Sequence, residues 1–453
     1  MEHNKTKQNK QMGKIINSQF ILVFFFLICF SLNGQEKLSL KDCIERAIEK
    51  NISIKNSSLD LLNSTENKKT AIGNFLPNFN ISGNHSWNTG LTQNITTGIL
   101  ENQTTENSSM NMSVGIDIFN GLANIRRLHR ANLDLLAKKY QLEDMKEDIS
   151  LLVANSYLQI LFNKEQLDVQ KSQLNISQEE LKNAKEKFKN GVIPEGNLFE
   201  IEANLALSEQ NVIMAENGYQ LSKLSLSQLL MFGDSENFDI ADDNYEIPQT
   251  DILNKDAKEI LDEAMKNRND IKLAETNLEI AVKDQQISRS ALLPSASAFY
   301  SYNSRVIMDA PTSLKSQFDL NAGESIGLQL NIPILNSWSS RAGIKKSKLN
   351  VLRSKNLLDQ TKMDLENTIY QALNDAKGAM KSYEAAKKSE IARKTAYEYA
   401  KERFENGALN TINYFQAQQL FETSQSELIK AKYDYIFKIK VLEFYFGIPD
   451  FSL

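Results

Sequence analysis

The chain has 453 residues with 52 basic and 57 acidic side chains, so its formal net charge is −5. Hydrophobic residues make up 41% and charged residues 24%, which indicates a globular protein rather than a disordered one. Only 18 Gly and 7 Pro occur, which disfavours a fold of many short strands and favours long uninterrupted elements. No basic stripe accompanies the mildly acidic balance, so we expect no nucleic-acid partner.

The first 34 residues are typical of a secretory signal peptide. Four lysines precede an apolar run of eleven residues, Phe20 to Phe30, and a polar segment with Gly34 follows. As a helix of about 1.5 Å per residue this run is too short to span a bilayer. We expect cleavage after Gly34, with either Met1 or Met12 as the true start. The mature chain then has a net charge of −8, because four Lys and one Glu are removed.

The sequence contains no pattern that predicts catalysis or a cofactor. The cysteines, Cys29 and Cys43, are too few for a disulfide framework or a thiolate metal site. Lipid attachment at Cys29 is an alternative to simple cleavage, but the bulky Ile28 before it disfavours that alternative. There is no phosphate-binding glycine loop, nucleophile elbow or paired-histidine spacing. We therefore predict that the protein is not an enzyme and has no cofactor or metal, and that His85 and His129 are surface or interface residues.

The chain is an internal duplication. Leu76-Pro77 aligns with Leu293-Pro294 at an offset of 217, and Glu186 to Gly191 aligns with Glu402 to Gly407 at 216. Each repeat is predicted as helix, strand, strand, long helix, turn and helix. We place the first repeat, including the residues before its first helix, at 35–233 and the second at 257–447. An acidic joint at 234–256 connects them, and a tail follows at 448–453.

Four predicted strands lie at about 77–89, 109–120, 294–305 and 323–335. In each, apolar residues alternate with small polar ones, as in Phe79, Ile81 and Trp87 or in Ile326, Leu328 and Leu330. Runs of about ten residues with this alternation are typical of transmembrane β-strands. A single run of this kind would better fit an ordinary soluble hairpin. Four runs in duplicate behind a signal peptide favour the membrane.

Long helices are predicted at about 122–189 and 338–405, each followed by a shorter helix at about 197–232 or 411–446. Apolar residues recur every seven positions in both long segments, which indicates coiled-coil contact. Both copies shift this series by four, from Ile149 to Val153 and from Leu365 to Ile369, and such a shift locally relaxes a supercoil. A helix of 68 residues extends about 100 Å. The helices alone would indicate only a structural antiparallel coiled coil.

Four strands cannot close a membrane barrel, and open sheet edges are not tolerated in lipid. The pore must therefore be shared between subunits. Two chains would supply eight strands and three would supply twelve, and of these only twelve leaves an aqueous channel. The predicted fold is mainly α with membrane β. Each chain would contribute four strands to a shared barrel, and the long helices would extend that barrel as an α-helical tube into the periplasm.

The duplicated plan, the Leu76-Pro77 and Leu293-Pro294 helix-to-strand junctions and the Phe119-Asn120-Gly121 turn resemble the TolC-type outer-membrane efflux proteins, over essentially the whole mature chain. The resemblance implies a homotrimer in which a long periplasmic α-helical barrel extends a shared twelve-stranded outer-membrane β-barrel, with four strands from each chain. Such a trimer contacts outer-membrane lipid and has most of its mass in the periplasm. It also implies docking to a periplasmic adaptor protein and an inner-membrane pump. The predicted function is a passive trimeric exit duct of a tripartite efflux system. The alternatives are an outlet for type I protein secretion and a non-transporting periplasmic scaffold or adaptor.

The resemblance also assigns candidate sites. The turns that match the family's adaptor-docking positions contain Gly191, Val192 and Ile193 in the first repeat and Gly407, Ala408 and Leu409 in the second. Gly191 and Gly407 are expected to be helix C-caps, a structural role that could account for them alone. Pro77 and Pro294 mark the helix-strand junctions.

The chain departs from its relatives at the predicted periplasmic constriction. Relatives carry acidic rings where this sequence has Asn413 and Gln416. A Tyr and an Arg that lock neighbouring helices are matched by Phe404 and Leu409, and the Asp that receives this lock is matched by Asn197. We therefore expect a constriction without a strong cation-binding ring, held by amide hydrogen bonds and apolar contact, with Glu195 restoring some negative charge.

Overall fold

The computed structural model describes residues 37–93, 97–233, 238–241, 247–248, 250–308 and 312–447. The predicted signal peptide and the C-terminal tail lie outside these residues, and so does part of the acidic joint. Within the joint, Ile252–Asn254 form a short 3₁₀ helix.

The two repeats have the same helical plan. In the first, helices α1 (Leu40–Lys50) and α2 (Ile52–Gly73) precede strands β1 (Asn78–Gln93) and β2 (Leu100–Asn120), followed by α3 (Ala123–Lys189) and α4 (Glu195–Leu229). The second has α5 (Ala257–Asn267), α6 (Asn269–Ser290), β3 (Ser295–Ile307), α7 (Leu314–Leu320), β4 (Gly323–Asn331), α8 (Ser339–Glu405) and α9 (Thr411–Tyr445). Matched helices have equal lengths of 11, 22, 67 and 35 residues in both repeats.

Several element ends differ from the prediction. β1 ends at Gln93 rather than near 89, and β2 begins at Leu100 rather than near 109, because this segment is almost entirely polar and hides the alternation. β4 ends at Asn331 rather than near 335, since Pro333 has no N–H to donate to a ladder.

The first repeat's shorter helix also differs from its predicted span. α4 begins at Glu195 directly after Pro194, whose fixed φ suits a helix start, rather than at 197. It ends at Leu229 rather than near 232, and the chain then turns through Met231, which has a positive φ of 51°. Helix α7, which lies between β3 and β4, was not predicted from the sequence.

The four strands form one antiparallel sheet in the order β1-β2-β3-β4, and the β2–β3 pairing joins the two repeats. Its register separates apolar from polar side chains in alternate rows. One row runs across all four strands as Phe79, Val114, Tyr300 and Ile326. The adjacent row is polar, and its members are Asn80, Ser113, Ser301 and Ser325. In these rows the alternation that the sequence predicts therefore extends across all four strands.

Phe299 is an exception on the polar face. It pairs with Gly115 on one side and Gly327 on the other, and an added Cβ at Gly327 would lie 2.7 Å from the Phe299 ring. The ring therefore fills the space over a glycine, an arrangement that supports a glycine within a strand.

The helices pack in one layer around α3 and α8. Helix α3 contacts α2 and α6 near the sheet and α4 and α9 farther away, while α8 contacts α6 and α9. The main core contains Val153, Tyr157 and Leu226, all fully buried, and Tyr157 donates a hydrogen bond to the Ala241 carbonyl (3.1 Å). Val153 and the matching Ile369, where the heptad series shifts, are each 0% exposed. The predicted coiled-coil faces are thus the ones that pack.

The strand-to-helix junctions have left-handed backbone in both repeats. Gly121 and Leu122 have φ of 64° and 65°, and the matching Ser337 and Trp338 have 51° and 65°. An added Cβ at Gly121 would lie 2.6 Å from the carbonyl oxygen of Ser290, so this position requires glycine for space as well as conformation. Ser290 is the last residue of α6, the helix that precedes the Pro294 junction.

Replacing Gly121 with alanine is expected to destabilise the fold by about 1–3 kcal/mol, because it adds both backbone strain and a clash with Ser290. The matched control is Gly218→Ala in α4, where nothing lies within 4 Å of an added Cβ. We expect that change to be neutral or mildly stabilising. Denaturation of detergent-solubilised protein followed by far-UV circular dichroism measures both, and equal midpoints for the two variants would contradict the assignment.

Candidate functional site

Two surfaces qualify as functional sites, and the first is the apolar face of the sheet. Ile326 and Leu328 on β4 are 86% and 79% exposed, and Phe79, Ile81 and Trp87 on β1 are also exposed. A contiguous exposed apolar surface of this kind marks contact with a partner or a membrane. Within the described ranges, no helix has the length and apolar character needed to cross a bilayer.

This apolar face ends at charged residues. Trp87 lies opposite Glu106, and Tyr302 lies opposite Glu324. His85 contacts Glu106 through Nε2 (3.0 Å) and Ser108 through Nδ1 (2.8 Å), and its ring is 4.2 Å from that of Trp87. Aromatic residues at the boundary of an apolar band are typical of membrane strands. His85, which the sequence predicts to be a surface or interface residue, lies at the edge of this apolar band.

The opposite end of the chain is formed by the two turns between paired long helices. Gly191 has φ of 72°, its N–H donates to Phe188, and the Val192 N–H donates to Lys187. In the second turn Gly407 has φ of 75° and Ala408 donates to Arg403 in the same pattern. These are Schellman motifs, in which glycine supplies the left-handed residue after the helix. The expected C-caps at Gly191 and Gly407 are therefore present.

A cavity of about 550 Å³ lies between the two turns. Its walls include five of the residues singled out from the sequence, which are Val192, Ile193, Asn197, Gly407 and Leu409. The other candidates lie outside its lining and are exposed, namely Gly191, Glu195, Ala408, Asn413 and Gln416. Within one chain the structure therefore brings together most of the turn residues but only one of the four residues predicted for a constriction.

The back wall of this cavity contains aromatic and acidic groups that join the two repeats. The Tyr414 hydroxyl of α9 donates to the Glu180 carboxylate of α3 and is 3.2 Å from the Tyr397 hydroxyl of α8. Phe404 stacks on the Tyr414 ring with centroids 4.5 Å apart, and Tyr397 stacks on Phe421 at 5.5 Å. Glu422 of α9 is close enough to Glu180 and Tyr397 for their charges to interact, and we call Glu180, Tyr397, Tyr414 and Glu422 the tip cluster. It connects the hairpin α3–α4 to the hairpin α8–α9.

Burial controls protonation in the tip cluster. It raises the pKa of the Glu422 carboxyl from 4.5 to about 7, and the nearby Glu180 adds to this shift. Burial also raises the pKa of Glu180, against the opposing effects of the Tyr414 hydrogen bond and of Lys401. The pKa of Tyr414 is raised mainly by burial and then by Glu180, so its hydroxyl keeps its proton and remains a donor.

The sequence prediction missed the tip cluster. Tyr397 and Tyr414 belong to series of apolar residues spaced seven apart, and that spacing predicts packing but no hydrogen-bonded cluster. A usable signal was present on α3, where Gln166, Gln173 and Glu180 recur every seven residues beside the apolar series. A polar stripe next to an apolar one predicts a second, chemically different contact. Phe404 supports the Tyr414 ring by stacking on it.

No cluster of His, Cys, Asp and Glu suited to a metal ion occurs in the part of the chain that the structure describes. The one described cysteine, Cys43, is buried, and burial raises the pKa of its thiol to about 12. His129 is exposed on α3.

Both repeats match a known family. Residues 43–230 and 260–445 each match the sequence profile of the outer membrane efflux protein family. Curated protein sequences gave no significant match.

Solved structures of outer-membrane proteins have the same fold. VceC from Vibrio cholerae is 14% identical and superposes with a TM-score of 0.75, covering 90% of this chain and 96% of its own. The CmeC outer membrane channel of Campylobacter jejuni is 19% identical with a TM-score of 0.74, and the coverage is 90% and 86%. The open state of the Neisseria gonorrhoeae MtrE outer membrane channel is 16% identical with a TM-score of 0.70, and the coverage is 90% and 88%.

Removing the Tyr414 hydroxyl should weaken the contact between the hairpins. Tyr414→Phe keeps the stacked ring but leaves the buried Glu180 without its donor, at a cost of about 1–3 kcal/mol. We expect the thermal unfolding midpoint to fall by several degrees. The control is Tyr370→Phe on α8, where the side chain is 45% exposed and little change is expected. Equal midpoints for both variants would show that the hydroxyl contributes nothing to the contact.

Proposed function

The chain belongs to the outer membrane efflux protein family, and we propose that three copies of it form one closed exit duct through the outer membrane. The family consists of efflux channels of the outer membrane with a large periplasmic helical part, and it does not consist of enzymes. The observation that carries the proposal is the alternation of apolar and polar rows across all four strands, on a sheet that both repeats build.

The sheet edges support assembly from several copies. β1 and β4 are the outer strands, so each is paired on one side only within the chain. Unpaired backbone N–H and C=O groups are too costly in lipid, which requires a closed barrel. Pairing β4 of one copy with β1 of the next satisfies both edges, and three copies give twelve strands around an aqueous lumen.

The helical edges are compatible with the same arrangement. Helix α4, on the β1 side of the chain, exposes Phe199, Ile213 and Leu221, each more than half accessible. Helix α8, on the β4 side, exposes Leu349 and Tyr399 to a similar extent. Side-by-side copies would bury these two apolar edges against each other, and the helices would extend the barrel as a tube into the periplasm.

We assign the two turns to adaptor docking and the helices that follow them to the constriction. Val192 is 67% exposed at the end of the first hairpin, and Ile193 and Leu409 line the cavity between the hairpins. A partner's helical hairpin can place apolar side chains in such a groove. In the assembled duct Asn197, Asn413 and Gln416 from each copy would face the axis, with Glu195 nearby. An inner-membrane pump upstream would then select the substrate.

The membrane assignment is tested by adjacent residues on β4. Leu328→Lys introduces a charge on the proposed lipid face and should cost about 2–4 kcal/mol near the bilayer midplane. We expect much less heat-modifiable trimer in the outer-membrane fraction for this variant. Gln329→Lys introduces the same charge on the polar face and should assemble as the wild type does. A freely soluble wild-type chain, or equal assembly of both variants, would contradict the proposal and favour a periplasmic scaffold.

The constriction is tested by cation block. Because Asn413 and Gln416 are neutral, micromolar divalent or trivalent cations added on the tunnel side should leave the single-channel current unchanged. The double variant Asn413→Asp, Gln416→Glu creates rings of carboxylates and should become sensitive to block. Block of the wild-type channel at those concentrations would show that another acidic group, such as Glu195, forms a ring.

A further inference from the structure

The contact between the two hairpins differs chemically from the contacts within them. Inside the hairpin α3–α4 the buried residues include Leu167 and Ile201. The contact between α3 and α9, here called the seam, is apolar nearer the sheet, where Leu158 and Ile436 belong to the main core, but it becomes polar toward the tips. Gln166 donates to Ser426 (2.8 Å), Lys432 is 3.5 Å from Glu165, and Tyr414 donates to Glu180. The tip side of the seam is therefore the part of this contact that is sensitive to charge.

Buried polar atoms without a hydrogen-bond partner occur on both α3 and α9 toward the tips. Gln418 is 2% exposed, and neither atom of its amide has a hydrogen bond among the described residues. Glu180 Oε2 and Thr411 Oγ1 are likewise buried without a partner. Leaving such groups unsatisfied costs about 1–3 kcal/mol each, and the cost is recovered when the seam opens to water. These costs lower the stability of the closed seam relative to an open, hydrated one.

We propose that the tip cluster makes this seam a proton-controlled joint, which stays closed while Glu180 and Glu422 share at least one proton and separates when both are ionised. The proposal rests on the proposed function, because a separating seam opens the periplasmic end of the duct. Glu180 lies on α3 and Glu422 on α9, so two negative charges there would repel the hairpins directly across their contact. A protonated carboxyl removes that repulsion and keeps the Tyr414 bond to the remaining carboxylate.

The charged residues around the tip cluster do not neutralise a second negative charge within it. Helix α8 contributes Tyr397, Lys401 and Glu405, of which Lys401 favours ionisation of Glu180 while Glu405 opposes ionisation of Tyr397. Helix α3 contributes Glu179 and Lys187, which also line the cavity. From α9 come Tyr414 and Glu422. The α4 residues in the lining, Asn197 and Ile201, are uncharged.

The sign of the pH dependence follows from the direction of the shifts. In an open, hydrated seam the Glu422 pKa returns toward 4.5, whereas in the closed seam it is about 7. The closed state therefore binds more protons between these two values. Closing is favoured in acid and loses stability as the pH rises from 4.5 through about 7. From about pH 5.5 to about pH 8, the ratio of open to closed seams should rise on the order of tenfold.

The experiment measures the distance between the hairpins in the assembled full-length protein. Spin labels are attached at Lys189→Cys and Ala408→Cys, both exposed at the tips, and labelled chains are diluted so that each assembly holds one. Cys43 stays unlabelled because it is buried and its thiol pKa is about 12. Pulsed electron-spin resonance should show the long-distance population increasing at the higher pH. A pH-independent distance distribution would overturn the proposal.

Two variants test the assignment to these carboxyls. Glu180→Gln with Glu422→Gln mimics the protonated state, so the short distance should persist at both pH values. The single variant Glu422→Gln should give the same result if the double variant is poorly assembled. The matched control Glu179→Gln, next to Glu180 but exposed, should keep the wild-type pH response. A response that survives in the double variant would overturn the proposal. The same preparation shows whether trimers are present in the outer membrane. Their absence would contradict the proposed function rather than this proposal.

Discussion

Backbone hydrogen bonding in lipid is the constraint on which the rest of this molecule depends. A single chain supplies four strands, and the outer two, β1 and β4, have one unpaired side each. Water could satisfy those groups, but lipid cannot. The duplication is one solution, because it makes a sheet with two complementary edges and gives each edge its own long helix. In the proposed trimer, closing the sheet between copies would close the helical tube as well.

The same logic explains the different chemistry at the two ends. Near the sheet, the junctions at Gly121 and Ser337 hold the helices in fixed directions through left-handed backbone and close packing. At the far end, each hairpin is reversed by a Schellman motif, but the hairpins meet through hydroxyl, amide and carboxyl groups. A duct that must stay sealed in the membrane and open in the periplasm needs a rigid end and an adjustable end.

Much of the fold was predictable because strong periodic patterns specified it. Period two placed Phe79 and Ile326 on one sheet face, and period seven placed Val153 and Ile369 in the helical core. The missed parts carried no such pattern. The polar extension of β1 and β2 lacks alternation, and the contact between Glu180 and Tyr414 joins residues 234 positions apart, so only the packing of two repeats brings them together. The spacing of residues in the sequence can define a stripe on a helix, but it does not show which other helix that stripe contacts.

The most direct test of the central claim is an electron cryomicroscopy map of the protein in lipid nanodiscs. The account predicts three copies around an axis, with twelve strands in one ring and β4 of each copy paired with β1 of its neighbour. The helical tube should continue from that ring to the two turns of each chain. A map in which each chain keeps an open four-stranded sheet, or in which the ring closes through any other pair of strands, would contradict the account.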